Sequence, residues 1–372
     1  MPVKCGEIFK LVEELAPRRL AESWDNPGLQ VGDPRSVVNR VMLALDVNID
    51  VAAEAGKLGA GLIISHHPLF MKPLRSVRLD RPDGELVSYL LQNEIAVYSA
   101  HTNLDYAAGG VNTVLADILG LKDVAVMSPA GRERYLKLAV FVPAGHVEEV
   151  RRALSGAGAG WTGNYSHCTF MSSGTGTFKP LEGTNPYIGR TGELERVEEY
   201  KLETIVPSGK SGAVLRAMQE AHPYEEAAYD LYPLENGGPV YGPGMVGGLP
   251  QPVILREFAA KVKERLGLPA VRLGGDPGSK VQRIAVCGGS GANLWPEALK
   301  AGADVLVTGD VKYHTAQDML AAGIKFIDAG HYGTEMVVMP VLRGYLAERC
   351  QAAGMTVEIL LSQINTDPFT YF

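Results

Sequence analysis

The chain has 372 residues, 46% of them hydrophobic and 21% charged, with a formal net charge of -7 and a pI near 5.7. That is the composition of a globular protein long enough to bury two or three cores. The acidic balance argues against a nucleic-acid binder that tracks phosphates, and no uncharged apolar run reaches the ~18 residues of a spanning helix.

The first seventeen residues read as an amphipathic helix rather than a signal peptide, since Ile8, Leu11, Val12 and Leu15 recur at helical spacing between acidic residues. The four cysteines, Cys5, Cys168, Cys287 and Cys350, are far apart and form no CxxC pair. They fit a reducing compartment, each as a small buried hydrophobe, so the protein is expected to be cytoplasmic. Further on, residues 37–47 read as a buried strand, 51–58 as a helix, 61–65 as a strand, 85–93 as a helix, 95–100 as a strand and 112–119 as a helix. Such alternation predicts an α/β layer with a largely parallel sheet, whose functional groups gather at the carboxyl ends of strands.

The segment from 128 to 246 differs. It reads as strand 135–142, helix 147–155, strand 165–172, a Gly-rich loop, strand 194–206, helix 212–221 and strand 227–234. That βαββαβ order is the ferredoxin-like plan. A Gly/Pro-rich stretch, 235–250, leads out of it. The chain then resumes with helix 254–266, strands 283–287, 304–308 and 325–328, a long helix over 334–350 kinked at Pro340, and a closing strand at 356–361.

The two outer parts can be aligned. Val41-Met42-Leu43-Ala44 matches Ile284-Ala285-Val286-Cys287, and Gly59 to Ser65 matches Gly302 to Thr308 at the same offset. The expected architecture is two related α/β halves, residues 1–127 and 247–372, forming one metal-binding core, with residues 128–246 as an inserted ferredoxin-like domain.

Chemistry-bearing residues fall at strand ends. Ser65-His66-His67-Pro68 places two histidines where the chain must turn before a proline, so both rings can swing into one cleft and each hold a different metal. His101 precedes Asp105 by four residues, and His331 precedes Glu335 by four. Four-residue spacing at a helix start brings both side chains onto one face, and a Glu there has one oxygen for each of two ions. Imidazoles and carboxylates converging at about 2.0–2.2 Å are what a divalent metal needs. Five of these residues, His66, His67, Asp105, His331 and Glu335, suit a dinuclear site, and two ions ~3.5–4 Å apart would support hydrolysis. His101 and His314 are the remaining candidates for proton transfer, with His101 also open to a ligand or orienting role. Cys287-Gly288-Gly289-Ser290-Gly291 lacks the lysine of a phosphate loop and reads as a tight turn. Trp24-Asp25-Asn26-Pro27-Gly28-Leu29 reads as a turn with a polar tip that lines or caps the cleft. His222-Pro223-Tyr224-Glu225-Glu226 reads as a surface turn.

These stretches, together with Gly309-Asp310-Val311-Lys312-Tyr313-His314 and Gly330-His331-Tyr332-Gly333-Thr334-Glu335, resemble the Nif-three-like dinuclear metal centre family, whose members are also labelled GTP cyclohydrolase 1 type 2 homologues. The insert, through His222 to Asp230, looks like the CutA/PII-like domain of the family's longer bacterial members. The resemblance implies two divalent ions per chain (Zn, Fe, Mn, Co or Ni) at positions matching His66, His67, Asp105, His331 and Glu335, and a toroidal homohexamer. The resulting expectation is a metal-dependent hydrolase of a nucleotide or phosphorylated small molecule, GTP among them. A non-catalytic metal-binding adaptor or regulatory hexamer is the alternative, and neither a membrane nor a nucleic-acid partner is expected.

Overall fold

The computed structural model describes residues 2–371. The chain forms two compact units: Met1–Ala130 with Tyr241–Phe372, called the core unit below, and Gly131–Val240, the insert.

The first stretch of the core unit runs α1 (Cys5–Leu15), β1 (Gly28–Val31), β2 (Arg40–Ala44), α2 (Ile49–Leu58), β3 (Leu62–Ser65), α3 (Pro82–Gln92), β4 (Ala96–Ser99), α4 (Thr102–Tyr106), α5 (Val111–Leu119) and β5 (Lys122–Val126). The insert follows with β6 (Gly131–Arg132), β7 (Tyr135–Pro143), α6 (Val147–Gly156), β8 (Thr169–Phe178), β9 (Glu195–Pro207), α7 (Ser211–Ala221) and β10 (Tyr229–Leu234). After β11 (Val240–Tyr241) come β12 (Met245–Ile254), α8 (Leu255–Arg265), β13 (Arg272–Gly274), β14 (Lys280–Val286), α9 (Trp295–Lys300), β15 (Val305–Thr308), α10 (Tyr313–Ala321), β16 (Lys325–Asp328), α11 (His331–Glu335), α12 (Val338–Ala352) and β17 (Glu358–Leu361).

The core unit holds two mixed sheets, ordered β1-β4-β3-β2-β17 and β13-β16-β15-β14-β12-β5. In the first, four parallel strands lie beside the antiparallel edge strand β1; in the second, three parallel strands lie beside the antiparallel edge strand β13. Leu62–Ser65 is wholly buried, as a central parallel strand covered on both faces should be. The helix before it, α2, starts where Asn48 accepts the Val51 amide at 2.9 Å and ends where Gly59 takes a left-handed φ of 66°. Its buried face is Val51, Ala52 and Ala55.

The same element order occurs in both stretches, and ladder pairing gives the register between them. Val41 lies beside Leu62, and Ile284 beside Val305. Ala96 lies beside Leu62, and Lys325 beside Val305. The strand matching is therefore one residue out of step with the His101 and His331 pair, and the additional residue is Gly330, whose φ of 76° favours glycine.

The closing strands are exchanged. β17, from the end of the chain, pairs in parallel with β2 of the first sheet, while β5 joins the second sheet through β12. Helix α5 belongs to two cores: Val111 and Val114 pack with the first sheet's apolar residues, Leu115, Ala116 and Leu119 with the second's.

Several elements depart from the sequence reading. The helix expected over 334–350 is two helices, α11 and α12, and the break lies at Met336 and Val337 rather than at Pro340. Pro340 sits in the first turn of α12, where a missing N–H forfeits no helical bond. β12 occupies part of the expected 235–250 linker. Its prolines lie at a register shift between Gly248 and Val253, where a ladder tolerates them.

The insert is a four-stranded antiparallel sheet ordered β10-β7-β9-β8. Val150 and Leu154 of α6 and Val214 and Met218 of α7 share a core with Leu138, Val140 and Leu202 of the sheet. His222 is buried rather than part of a surface turn: Tyr224 N donates to its Nδ1, and its Nε2 lies 3.0 Å from the Phe141 carbonyl. Among the described residues no helix is long and apolar enough to cross a membrane, and the four cysteines are free.

Candidate metal centre

The site forms where the carboxyl ends of the central strands meet α4 and α11. His66 and His67 follow β3, His101 follows β4, Asp105 lies in α4, and His331 and Glu335 open and close α11. Three overlapping groups have ligand atoms within 4.8 Å of one another: His66, Asp105 and Glu335; His67, His331 and Glu335; and His66, His67 and His101. All five residues predicted as ligands, and one of the two predicted proton carriers, thus share one cluster.

Each imidazole is tethered through Nδ1. His66 bonds the Ala100 carbonyl at 2.9 Å, His67 the Asp46 carboxylate at 2.7 Å, His101 the Asp25 carboxylate at 2.8 Å and His331 the Asp310 carboxylate at 2.7 Å. A carbonyl or carboxylate accepts, so each Nδ1 carries the proton and each neutral ring keeps its lone pair on Nε2.

Those lone pairs lack hydrogen-bond partners of the ordinary kind. His67 and His331 bring their Nε2 atoms to 3.2 Å. Glu335 Oε2 lies 3.0 Å from the first and 3.1 Å from the second, yet no hydrogen bond reaches it. His66 Nε2 and Asp105 Oδ1 are likewise buried without a partner, 3.7 Å apart. Glu335 Oε1 lies 3.7 Å from the same His66 nitrogen. Ligands bound at about 2.0–2.2 Å to one ion lie roughly 3–3.5 Å from each other. The His67–His331–Glu335 triangle has those edges, and the donor set fits a divalent cation, with one Glu335 oxygen turned to each side.

Without a cation the site holds its charge in protons. Burial raises the Asp105 carboxyl to about 6, aided by the Glu335 charge. Burial also opposes ionisation of Glu335, but His66, His331 and His67 outweigh it and hold that carboxyl well below its usual range. Burial disfavours a charged His67, yet Asp46 and Glu335 push it up to about 10. His331 rises to about 9, chiefly through Glu335. Asp25 falls to about 2 because His101 and Thr102 together outweigh its burial.

Glycines make room for this chemistry. A Cβ on Gly289 (φ 61°) would fall 2.1 Å from Glu335 Oε1, and one on Gly309 2.6 Å from the His331 amide. The amides of Gly288 and Gly289 donate to Asn112 and Thr334. The glycine turn at 287–291 therefore backs the metal cluster and presents neither of those N–H groups to a phosphate.

His314 is exposed at the start of α10, its Nδ1 3.2 Å from Gln317 Oε1. The tethers Asp46, Asp25 and Asp310 were not given individual roles from sequence, although the Trp24–Leu29 turn was expected to line or cap the cleft and its Asp25 holds His101. Two of them left a signal, since Asp46 stands two residues past β2 and Asp310 two past β15; Asp310 takes a left-handed φ of 55°, which a short aspartate side chain tolerates. Asp25 reaches the cluster from the distant turn before β1, its side chain fully buried and also bonded by the Thr102 amide.

A mixed α/β core carrying a histidine–carboxylate cluster suited to a metal is the class that fold and site define. The chain belongs to the Duf34/NIF3 (NGG1p interacting factor 3) family, whose family model matches residues 3–368. It is 45% identical over 364 residues to a protein of Halalkalibacterium halodurans named GTP cyclohydrolase 1 type 2 homolog, covering 98% of both chains. It is 44% identical over 365 residues to the Bacillus subtilis protein of the same name, again 98% of each. Among solved structures, a Bacillus cereus protein related to NIF3 matches all of both chains with a TM-score of 0.90 and 45% identity. A Staphylococcus aureus protein matches with a TM-score of 0.74 and 32% identity, over 100% of this chain and 99% of that one.

Proposed function

We propose that the chain is a metal-dependent hydrolase of a nucleotide or phosphorylated small molecule, with His66, His67, Asp105, His331 and Glu335 as ligands of two divalent ions. The observation that carries this reading is the set of Nε2 and carboxylate atoms held within 4.8 Å, several buried without a partner. When bound, such ions supply Lewis acidity to a water and to a substrate oxygen. The protein's own part is to fix the ligands. Asp46 and Asp310 orient His67 and His331, the Ala100 carbonyl orients His66, and Glu335 presents one oxygen to each side. His101, turned to the cluster by Asp25, is positioned to hold or move a proton at Nε2; His314 is a second candidate for that role. The relatives' name supports hydrolytic attack on a guanine ring as one member of the substrate class.

We further infer a ferredoxin-like, CutA/PII-like insert, supported by its β7-α6-β8-β9-α7-β10 order and its strand order, and assembly into a toroidal homohexamer. The insert's separate core favours a second reading, an adaptor or regulatory protein that binds metal without turnover.

The test is turnover of GTP and a phosphoester panel by wild type and Glu335→Ala, with metal content measured on the same samples. Activity that disappears with the metal supports the hydrolase. Full metal occupancy with no turnover in the wild type moves the assignment to the adaptor.

A further inference from the structure

A cavity of about 400 Å³ adjoins one side of the cluster, with His67 and His331 in its lining. Its remaining wall is aromatic and acidic. Tyr332 comes from α11, and Phe369 and Tyr371 come from the segment after β17; Asp46, Asp310 and Asp367 are the charged groups besides the histidines. Among the described residues lining it there is no lysine or arginine. Away from His67 and His331, a phosphate here would meet carboxylates in a partly desolvated space with no lysine or arginine to pair with.

The aromatic segment is tied to the metal centre. Ser362 bonds Glu54, and Ile364 packs into the first sheet's apolar cluster. Thr366 donates at 2.5 Å to Asp46 Oδ2, the carboxylate whose other oxygen holds His67. Asp367 then accepts the Phe369 amide at 3.0 Å. Tyr371 reaches back over Gly330, where an added Cβ would lie 3.8 Å from its hydroxyl. Despite this anchoring, Phe369 remains 68% exposed and Tyr371 47% exposed. Large apolar rings held at a cavity mouth and left uncovered are surfaces for a ligand.

We propose that this cavity seats a planar, non-anionic ring of the ligand against Tyr332, Phe369 and Tyr371, so that a nucleobase-like end enters here and any phosphate lies outside it. The segment 366–371 is then a specificity-determining wall. This rests on the metal-centre reading above and narrows its substrate class to molecules with an aromatic or heteroaromatic end.

The experiment uses metal-loaded full-length protein and isothermal titration with two kinds of probe. Guanosine and adenosine have a neutral ring without phosphate; ribose 5-phosphate has phosphate without an aromatic ring. Wild type, Phe369→Ala/Tyr371→Ala and the milder Phe369→Leu are compared, with metal content and thermal unfolding recorded for each. At least one ring probe binds wild type, the double variant weakens it on the order of tenfold or more, Phe369→Leu weakens it less, and metal content stays constant. Absence of binding by every ring probe overturns the proposal, as does ring binding indifferent to both variants. Ribose 5-phosphate binding that depends on Phe369 and Tyr371 also overturns it. Ring binding without turnover of any panel substrate upholds the cavity and removes the hydrolase; turnover unchanged in the double variant does the reverse.

Discussion

The two sides of Glu335 use the same ligand chemistry in different surroundings. On one side His66 is fully buried and tethered to a backbone carbonyl, with Asp105 as its companion. On the other, His67 and His331 are partly exposed, each tethered to a carboxylate, and they border the cavity of about 400 Å³. A carboxylate tether raises the basicity of an imidazole more than a neutral carbonyl does. The open side therefore has the more basic imidazoles and borders the cavity, while the enclosed side is the one shut off from solvent.

Glu335 is the one carboxylate common to both, so its removal has the largest effect. In Glu335→Ala, bound metal measured by plasma mass spectrometry falls to near zero, whereas Asp105→Ala retains the occupancy of the open side. Equal residual metal in the two variants would contradict a shared carboxylate. Next in size are the single-histidine variants. His66→Ala and His331→Ala each lose about half the bound metal, and only His331→Ala also disturbs binding at the cavity. His66→Ala lowers the unfolding temperature more, because it leaves Asp105 buried without its nearest imidazole.

The tethers rank third. Asp46→Asn and Asp310→Asn keep size and hydrogen bonding but remove charge, and metal affinity on the open side weakens about 10–100-fold, read by competition with a chromophoric chelator. A decrease confined to the enclosed side would reverse the assignment of which tether serves which ligand.

The open side's protons give a pH signature. In the metal-free protein, His67 and His331 titrate near 10 and 9, above the ordinary 6.5. Between those values the folded state binds more protons than the unfolded one, so this contribution is complete below about 6.5 and is lost as pH rises through 9 and 10. Metal binding requires neutral imidazoles and releases the same protons, so affinity increases over that range. The gap in unfolding temperature between metal-loaded and metal-free protein is expected to widen by several degrees from pH 7 to pH 9.5. A constant gap would mean that these imidazoles are neutral in the metal-free state.

The difference between the sides also marks what sequence could disclose. His66, His67, Asp105, His331 and Glu335 were legible because they follow apolar strands at short, regular spacing. The parallel ladders of both sheets were legible for the same reason, as uninterrupted apolar runs such as Leu62-Ile63-Ile64. Asp25 and Thr366 lie 76 residues before His101 and 320 after Asp46, and no local pattern encodes a partner brought in by tertiary folding. The exchange of closing strands was hidden likewise: residues 356–361 read as a strand without naming its sheet, and 122–126 does not read as a strand, because Lys122 and Asp123 interrupt its apolar run. β1 and β13 were missed because Gly28-Leu29-Gln30-Val31 and Arg272-Leu273-Gly274 contain no uninterrupted apolar run of the kind that marks β3.

The smallest expected effect belongs to His314, one of the two histidines proposed for proton transfer. Their sequence contexts are alike, each past a strand end, but their surroundings differ. The His101 side chain is 14% exposed, clamped by the fully buried Asp25 and set with its ring 5.3 Å from that of His66. His314 stands in solvent at the start of α10, bonded to Gln317 of the same helix. An imidazole free to rotate in water contributes little positional advantage to proton transfer, whereas one held by a buried carboxylate has its proton assigned in advance. His101→Ala should therefore lower turnover about 10²–10⁴-fold, while His314→Ala changes it by less than about twofold, in the range of an ordinary exposed substitution. A large loss in His314→Ala with His101→Ala unaffected would shift proton transfer to α10 and leave His101 as a ligand of the enclosed side.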